Sequence, residues 1–98
     1  MKVSIHPEAL REFEEAAAYY EDRQPGLGEK LVAAVESAIQ GIVAFPARWP
    51  LLEKNVQRRL VKVFPYAVLY YFDGKSIFSL AIMHSHRRPE CWRSRSST

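Results

Sequence analysis

The sequence predicts an α+β fold: a strand, an antiparallel helical hairpin, then a three-stranded antiparallel meander, gathered into one small sheet. Three observations carry this reading. Apolar residues recur at helical spacing in two stretches between residues 7 and 44, parted by Gln24-Pro25-Gly26. Strand-like runs crowd residues 58–84. Asp73-Gly74 sits between the last two runs, the dipeptide that a two-residue hairpin turn prefers because both positions need positive φ.

Val3 and Ile5 alternate with Lys2 and Ser4, as in a short strand with one buried face. Pro7 suits the first helical position, where its missing N–H costs nothing, and Glu8 meets the positive end of the helix dipole. Leu10, Phe13, Ala17 and Tyr20 follow at steps of three and four, one helix face turned to a core. Gly26-Leu27-Gly28 reads as the turn after this helix. Leu27, Leu31, Val35, Ala38 or Ile39, and Ile42 mark a second helix, which stops before Phe45-Pro46 because the residue preceding a proline is driven out of the helical region. The short link makes the pair an antiparallel hairpin. A loop opens at Pro46-Ala47-Arg48-Trp49-Pro50 and runs to about Gln57.

In the first run of the meander Arg59, Val61 and Val63 share one face, with Leu60, Lys62 and Phe64 on the other. A two-residue turn at Asp73-Gly74 sets Phe72 opposite Lys75, Tyr70 opposite Ile77 and Leu69 opposite Phe78. One sheet face then carries Ala67, Leu69, Tyr71, Phe78, Leu80 and Ile82; the other carries Tyr66, Val68, Tyr70, Ile77, Ala81 and Met83. Both faces are largely apolar. A helical hairpin covers only one, so the other needs the C-terminal tail, a second copy of the chain or a foreign chain over it.

A chain of 98 residues makes one domain, expected over residues 1–93 with a flexible tail at 94–98. A domain this small buries roughly 60% of its unfolded surface, so a bound partner would add to a modest stability. The N-terminus lacks the continuous apolar stretch of a secretory signal and no run reaches transmembrane length, so a cytoplasmic chain with no membrane partner is expected. The single cysteine, Cys91, makes no internal disulfide and no metal cluster, and no metal or cofactor is expected. The net charge of +3 conceals a polarity. Residues 1–45 carry four basic against eight acidic side chains, whereas residues 46–98 carry ten basic against three acidic. The helical half is acidic and the sheet half basic. An anionic partner at the sheet end, whether RNA, DNA or an acidic peptide, fits this polarity; an ordinary solvated surface is the alternative.

Arg59, Phe64-Pro65-Tyr66, Tyr70, Ala81-Ile82, His84, Arg87, Pro89 and Trp92 stand in an order and spacing that resembles the RelE/ParE superfamily, the small toxin subunits of bacterial type II toxin–antitoxin modules. The N-terminal stretch HPEALREFEEAAAYYEDRQPGLGEKL is similar to that family's helical hairpin. The resemblance implies a toxin masked by a cognate antitoxin, as a homodimer or a toxin–antitoxin hetero-oligomer. It also implies one of two targets. RelE-like members resemble ribosome-dependent ribonucleases; ParE-like members act on DNA gyrase. With only Lys30 as a basic residue on the second helix, no tyrosine after Tyr71, and a His84-x-x-Arg87-x-Pro89-x-x-Trp92 ending, the chain looks more ParE-like.

Cleavage of RNA through its 2′-hydroxyl needs a base, an acid and cations to hold the phosphorane. His84, Arg87 and Arg59 are the residues that could supply that set in mRNA cleavage on the ribosome. The alternative is that His84 caps a strand end and Arg87 anchors a loop. His86 is expected to be exposed and idle. Tyr66, Tyr70, Arg59, Arg87, Arg88 and Trp92 are the residues expected to meet antitoxin or target, Tyr66 and Tyr70 by stacking or packing and Trp92 by pinning the tail. A third reading is an interaction module that has lost toxicity.

Overall fold

The computed structural model describes residues 2–53 and 55–84. The expectations placed on Arg87, Arg88, Trp92 and the 94–98 tail lie outside the described residues. In chain order the elements are β1 (Lys2–Ile5), α1 (Pro7–Arg23), α2 (Leu27–Ala44), β2 (Leu51–Glu53), β3 (Val56–Leu60), β4 (Tyr66–Phe72) and β5 (Ser76–His84).

The helical hairpin begins at Pro7, with His6 as the N-cap and its Nδ1 accepting from the Glu8 N–H at 3.1 Å. Of the expected core face of α1, Phe13, Ala17 and Tyr20 pack against the core, whereas Leu10 is 44% exposed and Ala9 and Ala16 are the residues fully inside. Small side chains there let the backbone come close to its neighbours. Gly28 shows how close, because a Cβ at that position would stand 2.5 Å from the Ala17 carbonyl oxygen. Gly28 therefore lies inside α2 and not in the turn, and Gly26, at φ 87°, is the N-cap. A glycine N-cap offers no side chain to the free N–H groups of the first turn. Glu21 of α1 supplies what is missing, its carboxylate accepting from Gly26 N at 3.0 and 3.1 Å and from Gly28 N at 3.0 Å.

The sheet has five strands in the order β1-β5-β4-β3-β2, and it is mixed. The expected three-stranded meander is its centre, β3-β4-β5, all antiparallel. Two edges were added by tertiary pairing. β1 lies parallel to β5, Val3 opposite Ile77 and Ile5 opposite Ser79. The expected loop through Gln57 contains β2 and the start of β3, paired at Leu51 and Gln57. β3 also ends earlier than the apolar alternation suggests. After Leu60 the chain turns back, Val61 N donating to Tyr66 O at 2.9 Å, and Val63 takes φ 76° and is 95% exposed.

Two details correct the expected pairing of the last hairpin. Only Gly74 has positive φ in the turn, so the turn is centred on Gly74-Lys75 and sets Phe72 opposite Ile77. Asp73 closes it from outside, its Oδ1 accepting from Ser76 N at 2.8 Å and Lys75 N at 2.9 Å. Those two N–H groups, that of Ser76 first, hold the Asp73 carboxyl below its ordinary range. Further along, the register shifts between Leu69 and Tyr70, leaving Leu80 as an extra residue in β5. A bulge reverses the alternation beyond it. Ile82 therefore joins the helix-side core, and Ala81 and Met83 go to the opposite face with Leu80.

The apolarity of both faces stands. One cluster joins Ala9, Ala16, Leu31, Val35 and Ile42 of the helices to Val68, Tyr70, Ile77 and Ile82 of the sheet. The other, on the far face, holds Val56, Ala67, Leu69, Leu80, Ala81 and Met83.

Candidate functional site

Two cavities flank the contact between the helical hairpin and the sheet, and the Phe64-Pro65-Tyr66 motif stands between them. The first measures about 380 Å3 and is walled by α2 (Leu27, Lys30, Ala34, Ser37, Ala38) and by Arg59, Lys62, Val63 and Phe64. The second, about 250 Å3, lies between Glu12, Glu15, Ala16 and Tyr19 of α1 and Tyr66, Ile82, Met83 and His84 of the sheet. A run of edge-to-face rings separates them: Phe64 to Tyr20 at 5.1 Å, Tyr20 to Tyr66 at 6.2 Å and Tyr66 to His84 at 5.7 Å. The motif thus places one aromatic in the wall of each cavity.

Arg59 reaches the first cavity from β3. It pairs with Val68, whose side is covered by the helices, so its side chain lies beneath α2. There the guanidinium sits 3.9 Å above the Trp49 ring, and the Trp49 indole N–H points at the Gly41 carbonyl at 3.4 Å. Among the described residues the buried Arg59 Nε has no hydrogen-bond acceptor. The loop under this stack is tied to the sheet by hydrogen bonds. Tyr70 donates its hydroxyl to Pro46 O at 2.6 Å, and Gln57 Nε2 donates to Pro46 O and Trp49 O, each at 2.9 Å. Tyr70 is fully buried, and desolvation pushes its hydroxyl up to about 12 against the opposing pull of the Arg59 charge. It reaches a partner only through the loop it holds.

The second cavity has the opposite electrostatics. His84 and Tyr66 meet there beside Glu12 and Glu15. Glu12 Oε1 also accepts weakly from the Ile82 N–H at 3.4 Å. The structure therefore brings Tyr66 and His84 together, and it sets Arg59 in a different cavity on the other side of the aromatic run. Among the described residues no three His, Cys, Asp or Glu side chains converge as a metal site. No helix of the described residues is long and apolar enough to cross a membrane.

Lys30, Ser37 and Lys62, which line the first cavity, and Trp49, which lies against Arg59, are residues that the sequence alone does not assign to the site. Trp49 carried one signal, an aromatic between Pro46 and Pro50, which marks an anchored loop. The lysines carried none, since only the crossing of α2 over the β3–β4 connection brings Lys30 and Lys62 to one cavity.

Comparison with known proteins agrees with this architecture. Residues 3–89 match the family model described as the ParE toxin of type II toxin-antitoxin system, parDE. The curated protein "Putative toxin Y4kP" of Sinorhizobium fredii (strain NBRC 101917 / NGR234) is 27% identical over 81 residues, which are 82% of this chain and 83% of that protein. A solved structure described as the chromosomal ParDE TA system from P. aeruginosa shares the fold, with a TM-score of 0.63 at 17% identity over 86% of this chain and 95% of that one. The chain belongs to the ParE toxin family of type II toxin–antitoxin systems.

Proposed function

We propose that the chain arrests growth by acting on DNA gyrase and is neutralised by a cognate antitoxin. Membership of the ParE family supports both halves of the reading. The observation that carries the choice of a protein target over RNA cleavage is the position of His84. Its cavity is lined by Glu12 and Glu15, whereas Arg59 lines the other cavity. Among the described residues, a phosphodiester brought to His84 would meet carboxylates where cleavage needs cations to balance the developing phosphorane charge. Tyr66, Arg59, Arg87, Arg88 and Trp92 are then docking residues for antitoxin or target, and no catalytic chemistry is asked of them.

The test is the order of cellular arrest together with assays on purified components. Induction of the chain should halt DNA synthesis and trigger a damage response before translation falls, and purified protein should alter gyrase supercoiling or the level of cleavage complexes. Unchanged gyrase with His84-dependent cutting of ribosome-bound mRNA would establish the RelE-type ribonuclease instead. Normal growth on induction of a folded chain would establish a non-toxic interaction module.

A further inference from the structure

We propose that the 380 Å3 cavity under α2 is the seat of a carboxylate side chain borne on an acidic, leucine-rich peptide segment, an inference that rests on the antitoxin reading and names the chemistry of its anchor. The lining carries three cations, Lys30, Arg59 and Lys62, and no acid. None of the three has a carboxylate within 4 Å among the described residues, where the ion pair present is Arg11–Glu8 on the outer side of α1. Arg59 is the strongest attractor. Its guanidinium is pressed on the Trp49 face and its Nε is buried without an acceptor, so among the described residues part of the charge is already desolvated with no counter-ion. A cation prepared in that way gains more from an incoming carboxylate than one in water, because its dehydration has been met by folding.

The remaining walls specify what carries the carboxylate. Leu27, Ala34, Ala38 and Phe64 offer an apolar floor, and Ser37 a hydroxyl at the edge. Val63 forms the rim, almost wholly exposed and in the left-handed region that a β-branched residue avoids. Nothing in the core uses its side chain, and an exposed valine held at such a φ suits contact with an apolar neighbour on the incoming segment. Free phosphate or nucleic acid fits less well, since it would leave this apolar wall uncovered. Charge and apolar surface together select a peptide.

The experiment titrates the purified full chain with a short peptide rich in glutamate and leucine, and with its glutamine counterpart, following the indole N–H signals by two-dimensional NMR. The glutamate peptide should bind and shift the Trp49 signal; the glutamine peptide should not. Arg59→Met, which keeps an aliphatic chain over Trp49, should weaken binding by about thirty-fold or more, as for loss of one partner of a buried charge pair. If Arg59→Met does not fold, Lys30→Gln/Lys62→Gln, altering two exposed side chains, should still weaken it several-fold. Equal binding of both peptides, an unmoved Trp49 signal, or affinity unchanged in the folded variants overturns the proposal. Capture of the antitoxin encoded beside the gene separates the two readings. Undiminished capture by Arg59→Met and the double lysine variant would sink the cavity and leave the antitoxin standing. Peptide binding at Trp49 without any antitoxin capture would uphold the cavity and sink the antitoxin.

Discussion

Tyr70 shows how one side chain can look like a docking residue and serve the scaffold. An aromatic on a strand, in register with Tyr66, has the pattern of a stacking platform, yet its hydroxyl ends on Pro46 O inside the protein. The consequence is visible at high pH. Tyrosine ionises near 10 when unfolded, and burial raises Tyr70 to about 12 in the folded chain. The folded state holds the proton more tightly, so the contribution is whole below pH 10 and is lost as pH climbs through 12, a loss of roughly 2–3 kcal/mol. Tyr70→Phe should cost about 1 kcal/mol at neutral pH, because Pro46 O keeps its bond from Gln57. Its melting temperature should then fall less steeply than the wild type's between pH 10 and 12. Parallel declines in thermal melts of the two proteins would show that another group governs the alkaline limit. Arg59 belongs to the same scale: its place in the family-like pattern was legible, but its seat on Trp49 was not, since the two residues are brought together by a loop conformation that no periodicity encodes.

At the scale of elements, the two glycines of α2 face different neighbours and should respond in opposite directions. Gly28 meets backbone, with the Ala17 oxygen 2.5 Å from an added Cβ, so Gly28→Ala forces the helices apart. A loss of roughly 1–3 kcal/mol is expected, as for overpacking elsewhere. Gly41 has room: an added Cβ would stand 3.6 Å from the Trp49 ring and 3.7 Å from the Arg59 Nε, ordinary contact distances. Gly41→Ala should therefore stabilise by up to about 1 kcal/mol through helix propensity alone. Chemical denaturation of both variants checks the pair, and stabilisation by Gly28→Ala would mean that the hairpin packs less closely than described. Glu21 teaches a related lesson. On α1 it reads as one of several solvated acids, and only the return of the chain makes it the cap of α2.

At the scale of the whole molecule, the acidic helical half and the basic sheet half make association with a charged partner sensitive to salt. Net charges of −4 on residues 1–45 and +7 on residues 46–98 give the chain a dipolar field. Screening shortens the reach of that field to about 8 Å at physiological ionic strength. The association rate with the antitoxin should accordingly fall steeply as salt is raised, while the dissociation rate changes less, because steering acts on the encounter and buried contacts act on escape. Stopped-flow or surface-based kinetics over a salt series reads both rates. An association rate indifferent to salt would assign the polarity to solvation only.

The sequence by itself determined the kind and order of the central elements, the limits of α1 and the C-terminal end of α2, the apolarity of both sheet faces and the residue pattern that resembles the family. These are local properties: 3.6-residue and two-residue periodicities, proline and glycine punctuation, and charge along the chain. Tertiary structure decided the rest. The parallel pairing of β1 with β5 depends on hydrogen bonds between segments far apart in the chain, whereas the β2–β3 pairing, the bulge at Leu80 and the one-residue displacement of the turn depend on which backbone groups meet across a hairpin, which side-chain periodicity does not encode. The same holds for the functional surface. Arg59, Lys62 and Phe64 are close in sequence, but Lys30 and Trp49 reach them only when α2 crosses the sheet. His84 is parted from Arg59 because the rings of Phe64, Tyr20 and Tyr66 fill the space between their cavities, and ring packing in three dimensions is not written in spacing along one.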